Sequence, residues 1–140
     1  MNISSERLRK WEPLDGLPEQ MLGGVQLSSD GTSLVATAYF DDTIVTRPLR
    51  LTFGSVEAFK VYEEFSDPAV LSPAPMMPDP ILRAVPWPLQ EVTNSDWVRR
   101  VVGRNGALRD REWRHFIVVT MDVILHVMTD APVEAQQLEG

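Results

Sequence analysis

The run of residues 115–127 constrains the fold of this chain more than any other feature of its sequence. It reads His-Phe-Ile-Val-Val-Thr-Met-Asp-Val-Ile-Leu-His-Val, with many β-branched residues and a Met-Asp break at its centre. Each half has the length of one strand, and β-branched residues favour strands. The run therefore predicts an antiparallel hairpin in a well-covered sheet, with a turn at Met121 and Asp122 that places His115 opposite roughly Met128.

The first half of the chain predicts an N-terminal arm and a meander of strands. The arm, residues 1–22, is expected to pack Trp11 against the domain, because its prolines stop any long helix. An Asp-Gly pair at 30–31 separates two runs in which apolar and polar residues alternate, which is typical of a tight hairpin. A third strand is predicted over 43–53, at an edge or a bulge, because Pro48 donates no ladder hydrogen bond.

Two short helices are predicted beside these strands. Ser55 can cap the first, and apolar residues such as Phe59 follow it at helical spacing. The second begins at Asn94 or Ser95, whose side chains can accept hydrogen bonds from the free N–H groups of a first turn. With five or six strands in one curved, mainly antiparallel sheet, these helices predict a single α+β domain over 1–140.

Residues 66–90 are predicted to form a long crossing loop. From 66 to 88 the chain holds seven of its eleven prolines, a density that forbids both a regular helix and a central strand. The loop is apolar enough to lie on the domain surface as a cover. Met76, Met77 and Trp87 on this rigid backbone would also make an adaptable apolar contact surface, so a binding role stays open. The last residues, 131–140, are predicted to form a tail.

Composition narrows the class of protein. The chain has 140 residues, a formal net charge of −7 and no cysteine, which excludes disulfides, thiolate catalysis and cysteine-based zinc sites. The negative charge repels phosphate backbones, so nucleic acid is not expected as a partner. No stretch has the roughly 20 apolar residues that span a bilayer, and residues 1–7 lack an apolar signal core. These features predict a cytoplasmic protein without a membrane partner or cofactor.

Three segments of the chain occur in an order that resembles a known group of proteins. They are 53–59, Phe-Gly-Ser-Val-Glu-Ala-Phe, followed by Glu63 and Glu64; 87–97, Trp-Pro-Leu-Gln-Glu-Val-Thr-Asn-Ser-Asp-Trp; and the hairpin run 115–127. In this order the chain resembles small, mostly uncharacterised bacterial proteins, some of them similar to immunity-type domains encoded beside toxins. The resemblance implies a compact α+β domain without established catalysis, and it assigns no catalytic residue.

The two histidines of the chain raise the question of a metal site. His115 and His126 fall on the two strands of the predicted hairpin, where Asp122 or Asp110 could add a carboxylate. The predicted register offsets the two histidines by about two residues. A structural role is therefore favoured over metal binding.

The segment 94–97 admits a hydrolase interpretation and a structural one. Ser95, His115 and Asp96 could form a Ser-His-Asp arrangement, but no Gly-x-Ser-x-Gly elbow presents the serine. In the structural interpretation the polar residues cap a helix and Trp97 fills the core against Phe116 or Val118 of the hairpin. The structural interpretation is favoured, so no catalytic residue is predicted.

The surface character of the chain predicts a non-enzymatic protein-binding module, immunity-like or regulatory, with a basic partner. An alternative is a small-molecule binding protein or hydrolase with a pocket between the sheet and the Pro-rich loop. A third is a homo-oligomer joined through 43–53 or through that loop. The residues predicted for binding are Met76, Met77, Trp87, Glu63 and His115.

Overall fold

The computed structural model describes residues 6–17, 22–40, 47–63, 77–78 and 87–138. Strands make up 56% of these residues and helices 12%, so the protein is mostly β. The strands are β1 (Arg7–Lys10), β2 (Leu22–Ser29), β3 (Leu34–Phe40), β4 (Leu49–Phe53), β5 (Val56–Glu63), β6 (Met77–Pro78), β7 (Leu89–Thr93), β8 (Arg114–Val119), β9 (Val123–Thr129) and β10 (Val133–Gln137). The described residues also form helix α1 (Asp96–Arg104) and a 3-10 helix (Gly106–Leu108).

The strands form two sheets. Six pair in the order β5-β9-β8-β7-β1-β6, and four in the order β10-β4-β3-β2. Neighbouring strands are antiparallel, except that β1 and β6 are parallel. Two strands lead directly from one sheet into the other, β4 into β5 through Gly54 and Ser55, and β9 into β10. Because β4 pairs with β10 and β5 pairs with β9, these four strands make a bent ribbon that joins the sheets.

The hydrophobic core lies between the two sheets. Every second residue of β3 and β4 is buried, and these residues meet alternate residues of β8 and β9. Trp11 reaches this core, with its ring centroid 4.4 Å from that of Phe116 and 6.2 Å from that of Phe53. The predicted contact of Trp11 with the domain is thus confirmed. Trp87 lies in the same core, and its indole N–H donates to the Trp11 carbonyl at 2.8 Å.

The predicted α+β class is wrong, chiefly because residues 56–63 form strand β5 and not the first of two helices. Their apolar residues fit a helical stripe and a strand alternation equally well. Pairing with β9 decides between them: Phe59 lies opposite Val127 and Val61 opposite Leu125. Such long-range pairing is invisible to a local pattern and overrides helix propensity.

The strand over 43–53 was predicted at an edge or a bulge at Pro48, and the edge alternative is wrong. Strand β4 begins after Pro48 and lies between β3 and β10, so it has a partner on both sides. Residues 43–46 lie outside the described residues. The neighbour that covers β4 is β10, from the stretch predicted to be a tail, while β1 comes from the predicted arm.

Both predicted hairpins are confirmed. Strands β2 and β3 flank the Asp-Gly turn, where Gly31 adopts a φ of 101° that favours glycine. In the second hairpin, β8 and β9, His115 lies opposite Met128, as the sequence predicted.

Candidate functional site

A buried chain of hydrogen bonds links Ser95, His115 and His126. The Ser95 Oγ lies 2.8 Å from His115 Nδ1, and His115 Nε2 lies 2.7 Å from His126 Nδ1. All three residues are buried. Ser95 is supplied by the turn between β7 and α1, whereas the histidines come from β8 and β9. The chain therefore ties the start of the helix to the middle of the larger sheet.

The strand register explains why the two histidines touch. His126 pairs with Ile117, two residues along β8 from His115. The predicted offset is correct, but residues offset by two share one face of a sheet and are diagonal neighbours. Two imidazole rings are long enough to close that diagonal, so the offset brings the histidines together instead of separating them.

Electrostatics hold His115 in its neutral form. Burial, with smaller contributions from His126 and from the Lys60 ammonium, lowers the pKa of His115 from 6.5 to about 2. A neutral imidazole has one N–H and one lone-pair nitrogen, so His115 donates to one neighbour and accepts from the other. The ring is a hydrogen-bond link and not a charge at neutral pH.

Aromatic rings and one ammonium group surround the histidine pair. The Trp97 ring meets His115 edge-on at 4.8 Å and His126 at 6.1 Å, and the Tyr62 ring meets His126 at 5.8 Å. The Lys60 Nζ lies 4.6 Å from the centre of the Trp97 ring, a favourable cation–π distance. Trp97 therefore covers the histidines on the outer face of the larger sheet, and its predicted place in the core against Phe116 or Val118 is wrong.

The first turn of α1 is poorly arranged to stabilise an oxyanion. The Asp96 N–H donates to the Glu6 carboxylate at 2.6 Å, and the Val98 N–H donates to Ser95 Oγ at 3.1 Å. A hydrolase would need such donors for the developing negative charge, and the Glu6 carboxylate would repel that charge. Lys60 would in turn oppose the imidazolium that a catalytic His115 must become. The Ser95–His115–His126 chain is therefore best explained as a set of hydrogen bonds that holds the start of α1 against the larger sheet.

Metal binding and the cavity beside Ser95 are the two remaining questions about binding chemistry. No cluster of three His, Cys, Asp or Glu suited to a metal ion occurs among the described residues. A cavity of about 370 Å³ opens beside Ser95 and is bordered by Glu91, Arg99 and Arg114. Arg114 and Arg9 both donate to the Glu91 carboxylate, so the charge of that carboxylate is matched within the protein.

The residues predicted for binding lie in different places. Trp87 is in the core between the sheets, whereas His115 is buried on the opposite face of the larger sheet. Glu63 is exposed at the end of β5, with β9 and β8 between it and β7. Met76 lies outside the described residues, and Met77 is described only as part of the short strand β6. Glu63, Trp87 and His115 therefore do not line one common pocket.

Strand β5 presents an exposed row that the sequence analysis did not identify. Phe59, Val61 and Glu63 alternate on the face of the larger sheet that is turned toward the smaller sheet, and Glu57 precedes them at the irregularity in the pairing with β9. All four residues are exposed. Phe59 and Val61 keep 44% and 43% of their surface in solvent. The alternation Glu-x-Phe-x-Val-x-Glu was the available signal, but a helical interpretation of the segment concealed it. We call these four residues the β5 face.

The fold and these sites define a mostly β protein of two sheets, with one helix whose start is hydrogen-bonded to the larger sheet. No family model matches the chain, and no similar protein was found among curated proteins or solved structures. In the described part of the chain, no helix has the length and apolar character to cross a membrane.

Proposed function

We propose that this protein is a non-enzymatic protein-binding module, immunity-like or regulatory, that recognises a basic partner through the β5 face. The observation that carries the proposal is the exposure of Phe59 and Val61 side by side on the outermost strand of a sheet. Aromatic and aliphatic side chains exposed together are typical of interaction sites. Such residues become the buried centre of a contact, because desolvating them is favourable.

The charge around the β5 face supports a basic partner. Glu57 and Glu63 border the two apolar residues, whereas Lys60 points to the other side of the strand, under Trp97. The β2–β3 hairpin touches the start of β5 through a 2.8 Å hydrogen bond from the Val56 N–H to the Thr32 carbonyl. Residues 22–40, which form this hairpin, carry a single charge, that of Asp30. An acidic rim of this kind suits lysine or arginine side chains.

The proposal is tested by capturing partners from native lysate with the tagged protein and with a Phe59→Ser, Val61→Ser double variant. The expected result is one stoichiometric basic protein that binds the native chain and is lost in the double variant. Tyr39→Ser is the matched control, since Tyr39 is 39% exposed on β3, away from the β5 face. The control should retain the partner.

The association rate gives a second readout of the same proposal. Carboxylates at a rim attract a basic partner over distance, and salt screens this attraction. The association rate should therefore fall by about tenfold or more from low to high salt. A partner that binds the double variant normally, or associates at a rate indifferent to salt, would overturn the proposal.

A further inference from the structure

In the described part of the chain, the outer edge of β5 has backbone groups without a strand partner. β5 is the last strand of the six-stranded sheet, and β9 occupies only one of its sides. On the other side, the Val56 N–H reaches the Thr32 carbonyl, and no described strand pairs with the residues that follow. In an antiparallel pair, alternate residues direct their N–H and C=O groups away from the partner. The edge next to the β5 face can therefore accept another strand.

The charges along β5 oppose pairing with a second copy of the same strand. In an antiparallel pair of β5 strands centred on Lys60, the two Lys60 side chains would face each other, and Glu57 would face Glu63. Like charges directly opposite each other are destabilising. The charge pattern instead favours a strand of opposite charge from another protein.

Building on the proposed function, we infer that the basic partner supplies an extended segment that pairs with the edge of β5 as an added strand. Side chains on an added strand alternate between the two faces, in step with those of β5. The segment should therefore carry apolar residues opposite Phe59 and Val61, a basic residue opposite Glu63 and a second basic residue beside Glu57. The recognised pattern is basic, apolar, apolar, basic at every second position.

The other face of β5 limits the residues between these positions. Ala58, Lys60 and Tyr62 point to that face, where Trp97 lies over Lys60. A basic residue opposite Lys60 would be repelled, whereas a small polar residue would be accepted. The intervening positions of the segment are thus neutral or acidic, so the pattern differs from that of a uniformly basic peptide.

The test uses a designed nine-residue peptide as the probe. It has lysine at the second and eighth positions, valine at the fourth and sixth, and threonine elsewhere, so it reads the same in both chain directions. One control peptide carries glutamate in place of lysine. The other has methylated backbone nitrogens at its fourth, fifth and sixth positions, which removes the N–H groups that could pair with β5 while keeping the charge and the valines. Binding is followed by fluorescence anisotropy, and the amide signals of β5 by NMR.

The expected result is that the lysine peptide binds, that both control peptides bind at least tenfold more weakly, and that binding slows hydrogen exchange of β5 amides. The Phe59→Ser, Val61→Ser variant should also lose at least tenfold in affinity, whereas Tyr39→Ser should bind normally. If the N-methylated peptide binds as well as its parent, strand addition is overturned and docking by side chains alone remains. If no peptide binds but the captured partner still requires Phe59 and Val61, the inference fails and the proposed function stands. If the captured partner binds without Phe59 and Val61, both the inference and the proposed function fail.

Discussion

At the residue scale, His115 shows how burial decides the chemistry of a side chain. Its two ring nitrogens form hydrogen bonds with Ser95 and His126, one as donor and the other as acceptor. The ring remains neutral because protonation would place a charge in a desolvated site beside Lys60. Burying a polar group whose hydrogen bonds are all formed lowers the stability of the fold little. Burying the same group with a charge that has no partner lowers it by several kcal/mol, on the order of 3 to 5. The stability of the fold therefore decreases through His115 as the pH falls.

The first prediction concerns stability against pH. The pKa of His115 is about 2 in the folded protein, against about 6.5 when unfolded. Below pH 6.5 the unfolded chain takes up a proton that the folded chain refuses, so this contribution to stability is complete above pH 6.5 and is lost as pH falls toward 2. Between pH 7 and pH 5 the free energy of unfolding should drop by about 2 kcal/mol on this account.

Urea denaturation of the native protein and of His115→Asn at pH 7, 6 and 5 measures this loss. Asparagine retains a hydrogen-bonding group near Ser95 but does not titrate, so the variant should be less stable at pH 7 and show a flatter dependence on pH. Equal slopes for the two proteins would contradict the assignment.

The second prediction concerns Glu91. Burial alone would raise the pKa of this carboxyl, but hydrogen bonds from Arg114 and Arg9 outweigh burial and lower it. Both arginines are about half exposed, so water screens their attraction. Glu91→Gln should therefore destabilise the protein by only about 1 to 2 kcal/mol. Thermal denaturation at pH 7 measures this, with Glu134→Gln on exposed β10 as the control; a loss no larger than the control's would show that the ion pairs contribute nothing.

At the scale of elements, helix α1 is held at its start more than along its length. None of its residues is fully buried, whereas the Ser95 cap and the Glu6 contact both act at its first turn. The Ser95 hydroxyl serves the helix and His115 at once. A single oxygen atom thus couples the position of the helix to the histidine pair in the sheet.

The third prediction follows from this coupling. Ser95→Ala removes the cap of α1 and leaves a nitrogen of His115 unsatisfied, so the free energy of unfolding should fall by about 2 kcal/mol. Hydrogen exchange should accelerate in the first turns of α1 before it does so in β8. Ser28→Ala, at an exposed position of β2, is the control and should be neutral. A helix as well protected in Ser95→Ala as in the native protein would show that Ser95 does not hold it.

The elements divide into those that local patterns predict and those that they do not. The hairpins around Gly31 and Met121 and the cap at Ser95 were predictable because turns and caps depend on neighbouring residues. Strand β5 was not predictable, since its apolar residues fit both the helical and the strand periodicity, and only its pairing with β9 favours the strand. Strands β1 and β10 were missed for the same reason, because their partners β7 and β4 lie far away in sequence.

The candidate sites follow the same division. The register that offsets His115 from His126 was predictable, but their contact depends on how two rings fill the diagonal between strands. The exposure of Phe59 and Val61 depends on what packs against β5 in three dimensions, which no local pattern records. Trp87 was predicted on a loop that either covers the domain or offers a contact surface, and its burial in the core with a hydrogen bond from its indole N–H to the Trp11 carbonyl favours the covering role.

At the scale of the whole molecule, we expect the carboxylates of the β5 face also to oppose pairing of the protein with itself. Glu57→Thr combined with Glu63→Thr removes the repulsion between these carboxylates and leaves Phe59 and Val61 exposed, so this variant should self-associate at lower concentrations than the native protein. Light scattering over a concentration series measures the mass, and a Glu134→Thr variant controls for the loss of charge. A monomeric double variant would contradict this role of the two carboxylates.

The ribbon that joins the sheets also governs the order in which the molecule is assembled. During synthesis β4 emerges long before β10, and β5 long before β9, so for much of translation these strands lack the neighbours that complete their sheets. Folds dominated by such distant pairings fold slowly, because a long loop must close before any pairing is gained. Until β9 and β10 leave the ribosome, the nascent chain presents unpaired strand edges, the condition in which chaperones bind and aggregates form.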